Sequence, residues 1–218
     1  MELDFSVISQ NARFLLHGSL VTVQVTAVAL LLGLAFGLLA GMARLNPRRR
    51  VLYAAASAYI AFIRGTPLMV QLFILYFGLP QFGIMIPAFL TGVLGMGIYS
   101  GSYISEIVRG AIQSIERGQM EAARSLGMSQ AQAMRLVILP QAFLRMLPPL
   151  GNEFIALIKN SALVSLLTIE DLMREGQRVI STTFRSMEVY LGVAVIYFVL
   201  TFAMSQATRW LEGHLRVE

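Results

Sequence analysis

Between Gly18 and Ala43 no residue carries a charge, and none does between Gly65 and Ser105. At ~1.5 Å of rise per residue the first run makes about 39 Å of helix, one tilted span of a hydrocarbon core about 30 Å thick. The second run would make about 60 Å, so it must turn once. Gly78, Pro80, Gly83 and Pro87 supply that turn. A third uncharged run extends from Val189 to Thr208. Inside lipid every backbone polar group needs an internal partner, a condition that helices meet within a single segment. Composition agrees: 13% of residues are charged and 56% hydrophobic, against roughly 25% charged in an ordinary soluble domain.

These runs predict an all-α membrane protein with about five spans, at about 18–43, 53–77, 88–109, 141–161 and 189–208. The fourth is imperfect, since it carries Arg145, Pro148, Pro149, Glu153 and Lys159. Residues 110–140 are too polar to cross, yet rich in Ala, Met, Leu and Gln, and so predict a helical loop outside the membrane. Gly127 is placed to end its first helix and Ser129 to cap its second. A short surface helix is expected within 162–187.

Basic residues orient the chain. Eleven of its sixteen arginines fall in the loop 44–50, the loop 109–145 and the tail, and four in the segments on the other side. The positive-inside rule then puts the N-terminus out and the C-terminus in. Residues 1–17 become an extracytoplasmic segment, 18–211 the membrane domain, and 212–218 a cytoplasmic tail. Glu2, Asp4 and Arg13 precede the first run, which reads as an uncleaved span rather than a signal peptide. Arginines that border apolar runs also speak against nucleic acid. With no cysteine, and with His17 and His214 near opposite ends, no intrasubunit metal centre is expected.

The loop holds the most specific pattern. Glu121-Ala122-Ala123-Arg124-Ser125-Leu126-Gly127 is followed, nine residues later, by Val137-Ile138-Leu139-Pro140. This resembles the EAA loop of bacterial ABC importer permeases, with Val137 where the pattern has isoleucine. Arg64-Gly65-Thr66-Pro67-Leu68, Glu106-Ile107-Val108-Arg109-Gly110 and Pro148-Pro149-Leu150-Gly151-Asn152-Glu153-Phe154 extend the resemblance to the polar amino-acid uptake group. It covers about Gly18 to Leu211. The resemblance implies a type I importer permease in the bacterial inner membrane, working as a dimer with an identical or related copy. It also implies an extracytoplasmic binding protein and a separate ATPase subunit. Glu121, Ala122, Ala123, Arg124 and Gly127 would be the residues that couple to that ATPase.

Small side chains at 122, 123 and 127 suit a helix that docks into a groove, and Glu121 and Arg124, three apart, can pair with each other or with the partner. The chain has no ATPase motif of its own, because its only lysine, Lys159, follows Ile158 and no P-loop is possible. It therefore needs no cofactor, and ATP and Mg would bind to the partner.

Charges within spans mark the path, since each must face protein, water or a partner. Arg64 lies about 20 Å into its span, beside the Gly65-Thr66-Pro67 break, and broken spans are where transporters place substrate. Arg64, or the amides around Gly65 and Thr66, would hold a carboxylate; Glu153, or carbonyls near Asn160, would hold an ammonium group. Gln71, Lys159 and Ser161 complete the candidate set. Against this stands a purely structural reading, in which Arg64 and Glu106 pair and Lys159 reaches for water. Relatives often carry an acid after that lysine; Asn160 in its place argues against a cationic cargo. The stretch Tyr76–Gly83 looks similar to the cystine-uptake branch. Gly33, Gly37 and Gly41, four apart, let a second helix approach, either within the subunit or across an interface. The alternative is a secondary transporter driven by an ion gradient, with Glu106 and Glu153 as coupling carboxylates; it would have no use for a docking loop.

Overall fold

The structure, a computed structural model, describes residues 3–215. Glu2, Arg216 and the last residues of the expected tail lie outside the described residues. Every regular element among them is helical. One turn, α1 (Ser6–Gln10), leads into α2 (Ala12–Ala43), and after the arginine-rich loop come α3 (Arg50–Gly65) and α4 (Leu68–Phe73). A π-turn over Ile74–Gly78 and a 3-10 turn over Leu79–Phe82 carry α4 to the reversal, where Gly83 adopts φ 78°. Next are α5 (Ala88–Gln113), α6 (Arg117–Ser125), α7 (Gln130–Ala133), α8 (Leu139–Asn160), α9 (Leu172–Thr183) and α10 (Ser186–Leu215).

Three of these are long and apolar enough to cross a bilayer unaided: Ala12–Ala43, Gln130–Leu167 and Ser186–His214. Helix α3 and the helix over Leu68–Phe82 pass as a fourth span only when taken together, and they are bent at the break expected beside Gly65-Thr66-Pro67. The two halves meet at 106°. Pro67 has no N–H and bars helical backbone at the residue before it, so Thr66 is extended at φ −124°, ψ 144°.

The fourth expected span is corrected in length. A π-turn over Met134–Ile138 joins α7 to α8 and a 3-10 segment over Ser161–Leu167 extends α8, in a single rod of 38 residues. Pro140 sits in the first turn of α8 and Pro148-Pro149 lie inside it, yet the rod does not break. The loop and the span are therefore one body.

At the centre runs α5, 26 residues long and rich in Gly and Ser. A helix surrounded by other helices needs close approach more than an apolar face toward lipid. The stripe Gly33, Gly37 and Gly41 meets it, which places that contact within the subunit. A Cβ at Gly37 would lie 2.5 Å from Ile104 Cγ2, and one at Gly41 would lie 2.8 Å from the Ser105 carbonyl. Val25, Ala29, Leu72, Met96, Leu157 and Val164 form the core at mid-depth. Ile104, Val108, Ile112, Ile138 and Ala142 form another toward the arginine-rich end.

Candidate translocation site and docking loop

The break between α3 and α4 frees backbone carbonyls that a straight helix would use. Gln71, buried one turn into the next helix, answers them: its Nε2 donates to the Ile63 carbonyl at 2.8 Å, to the Thr66 carbonyl at 3.1 Å and to Thr66 Oγ1 at 2.8 Å. The Thr66 hydroxyl in turn donates to the Phe62 carbonyl. The Gln71 amide group is thus turned onto the break. Gly65 faces open space, with nothing within 4 Å of where a Cβ would lie.

Arg64, on the last turn of α3, is exposed and stacks over the ring of Tyr103 of α5, 4.8 Å from its centroid. Such stacking steers a guanidinium while leaving its N–H groups free for a ligand. One turn back, the Tyr99 and Tyr103 hydroxyls lie 3.2 Å apart. Tyr99 feels the charges of both Arg64 and Glu153. The half-buried Glu153 carboxylate of α8 lies near Ser100, whose buried Oγ has no hydrogen-bond partner among the described residues. A polar array, cation stacked on a phenol pair with a carboxylate nearby, thus spans α3, α5 and α8. Tyr99, Ser100 and Tyr103 escaped the sequence reading. Their signal was two tyrosines four apart among the glycines and serines of an otherwise largely aliphatic span.

The other candidates divide. Lys159 is exposed and makes no ion pair among the described residues, and Asn160 is half-buried. Ser161 is buried and donates to the Ile158 carbonyl at 2.8 Å. It stands beside Tyr197 in a cluster that fastens α9. In that cluster Asp171 caps α9 by accepting from Arg174 N at 3.0 Å, and Leu172 N donates to Thr22 Oγ1 at 3.1 Å. Burial pushes the Asp171 carboxyl up to about 6.

Glu106 does not pair with Arg64. It is held by Arg44, at the end of α2, and by Arg109 one turn along α5, at 2.5 Å. This triad pins α2 to α5 at the arginine-rich end.

In the docking loop, α6 ends as a full Schellman turn. Met128 N donates to the Ala123 carbonyl and Gly127 N to the Arg124 carbonyl, with Gly127 at φ 85°. Ser129 caps α7 in a reciprocal box with Gln132. Ala123 is buried against the rod, whereas Glu121, Ala122, Arg124 and Leu126 are exposed. Arg124 donates to the Met128 carbonyl at 2.7 Å rather than to Glu121. The Glu121 carboxylate stays available on the open face. Arg145 of α8 donates to the Ser114 carbonyl at 2.5 Å, and Gln141 to Gln119 at 3.3 Å, so the loop is tied to the rod just before α6 and within it.

Helices that cross a membrane, a short helix presented outside it, and a polar array beside a broken crossing together define a membrane transport component. The chain belongs to the family described as binding-protein-dependent transport system inner membrane component, whose model matches residues 33–217. It is therefore a transporter subunit of the inner membrane rather than an enzyme. It is 39% identical over the whole of both chains to the glutamine transport system permease protein GlnP of Escherichia coli K12. It is 36% identical, over 98% of each chain, to the probable glutamine ABC transporter permease protein GlnM of Bacillus subtilis. A solved structure of an amino acid ABC transporter with histidines superimposes at a TM-score of 0.93, with 43% identity, over 99% of this chain and 100% of that one. The fold is accordingly that of a type I ABC importer permease.

Proposed function

We propose that this chain is the permease subunit of an ATP-driven importer of polar amino acids, paired with a second copy or a paralogue. The cargo arrives from an extracytoplasmic binding protein, and a separate ATPase binds ATP and Mg. The arginine-rich end, with the α6 loop, faces the cytoplasm, and five crossings form the domain 18–211. The observation that carries this reading is that one rod, Gln130–Leu167, holds both the surface on which α6 rests and Glu153 of the polar array. At ~1.5 Å per residue it is about 57 Å long, so a push on α6 reaches the middle of the membrane without passing through a flexible joint. Glu121, Ala122, Ala123, Arg124 and Gly127 make the ATPase contact.

In the path, Arg64 with the Gly65–Thr66 backbone takes the carboxylate of the zwitterion, and Glu153 takes its ammonium group. The relatives' names span neutral and cationic cargo, glutamine and arginine, and the solved structure is of a transporter with histidines; against a cationic cargo, Asn160 adds no carboxylate. Lys159 at the far end of α8 would meet the cargo on entry.

The test compares wild type with Glu121→Arg and Gly127→Trp. An ATPase that co-purifies with wild type and is lost from both variants supports the reading, provided the isolated variants still unfold cooperatively. Liposomes holding this chain that accumulate amino acid under an ion gradient, with neither ATPase nor ATP, would overturn it in favour of a secondary transporter.

A further inference from the structure

At the end of the bundle opposite the docking loop, α2 touches α9 backbone to backbone. Gly18 makes this possible: a Cβ there would lie 2.8 Å from Leu172 Cα and 2.9 Å from the Asp171 carbonyl. The approach brings His17, its neighbour on α2, beside Glu170 and Glu175. One ligand atom from each of the three side chains lies within 4.8 Å of the others. Glu170 and Glu175 line a cleft of about 480 Å³ together with Arg174, Gln177 and Arg178.

Glu175 is 1% exposed, and its Oε2 is buried with no hydrogen-bond partner. A buried carboxylate in that state is unfavourable unless a cation or donor meets it. Arg178 does so only at arm's length, 3.7 Å from Glu175 and 3.9 Å from Glu170, beyond hydrogen-bonding distance. Its side chain is 58% exposed and lies over Phe14, so it can swing away.

We propose that His17, Glu170 and Glu175 form a divalent transition-metal site that takes zinc, for which Arg178 is the built-in competitor. One imidazole nitrogen and two carboxylate oxygens suit zinc at about 2.0–2.2 Å, with the fourth tetrahedral position open to water. Ligand atoms in such a sphere lie about 3.4 Å apart, a closure within reach of the exposed His17 and Glu170 side chains. Zinc there supplies the partner that Glu175 Oε2 lacks, and ties α2 to the entrance of α9. Imidazole disfavours magnesium at the same place.

The experiment is a zinc titration of untagged, metal-free protein in detergent micelles, with bound metal counted by mass spectrometry and thermal unfolding followed in parallel. Wild type should bind one more zinc ion than His17→Ala or Glu170→Gln, and zinc should raise the unfolding midpoint of wild type alone. Arg178→Ala, which removes a competing positive charge, should tighten binding roughly tenfold. His17 and Glu170 are exposed, so their variants retain the fold, and unchanged midpoints without zinc verify this. Equal zinc counts in wild type and His17→Ala overturn the site. So does an Arg178→Ala variant that binds zinc no tighter than wild type.

Discussion

Single residues here act by charge placement and by size. Arg64 and Glu153 stand at the two ends of the tyrosine-linked array. Losing one charge-assisted contact to a bound zwitterion removes about 1.5–3 kcal/mol, or roughly ten- to a hundredfold in affinity. Arg64→Ala and Glu153→Gln are each expected to raise the transport KM by about that factor, while ATPase co-purification stays at the wild-type level. Uptake kinetics in the reconstituted complex check this, and an unchanged KM in both variants would remove the pair from the path. Arg64→Lys should not rescue, because an ammonium lacks the planar face that stacks on Tyr103. Size governs Gly37, where Ile104 leaves no room for a Cβ. Gly37→Leu should destabilise the protein by several kcal/mol, more than the about 1–3 kcal/mol usual for a single overpacked site, and thermal unfolding in detergent measures it.

Among the elements, the broken crossing is the one whose stability hangs on one side chain. Gln71 restores partners to the carbonyls that the Pro67 break leaves open. Gln71→Leu keeps the volume and removes every one of those bonds, at an expected loss of about 1–3 kcal/mol. Hydrogen exchange should then quicken at residues 68–72 and leave α10 unchanged; protection equal to wild type would show that the break needs no clasp. The rod over α7 and α8 obeys a different logic. Its prolines fall just after the π-turn, at Pro140, or inside a helix supported by neighbours, at Pro148-Pro149. Proline breaks the helix at residue 67 and leaves it continuous at residue 140. In the first case Thr66, following Gly65, turns extended; in the second a π-turn precedes it.

For the whole molecule, one chain leaves Leu31, Leu39, Phe62, Val195, Phe198 and Trp210 exposed. Lipid or another subunit must cover that surface. Native mass spectrometry of the complex is expected to find two permease chains with the ATPase bound. A complex that transports with a single permease chain would contradict the dimer.

The sequence alone determined that this chain lives in a membrane, because uncharged runs of that length have no other solvent. It also determined the shape of the loop outside it, because the Gly127 turn and the Ser129 cap are local rules satisfied within a few residues. The break at Gly65–Pro67 was legible for the same reason. Tertiary structure decided the rest. Which helix meets the glycine stripe, which cations hold Glu106, and which groups stand between Arg64 and Glu153 are contacts between segments distant in the chain. Gln71, Ser161 and Arg64 look alike in sequence, as polar groups within apolar spans. The first closes a break, the second anchors α9, and the third lies exposed on a tyrosine. Only the packing of α3, α5 and α8 around one another separates those roles, since in lipid a polar group takes its meaning from the partner it reaches.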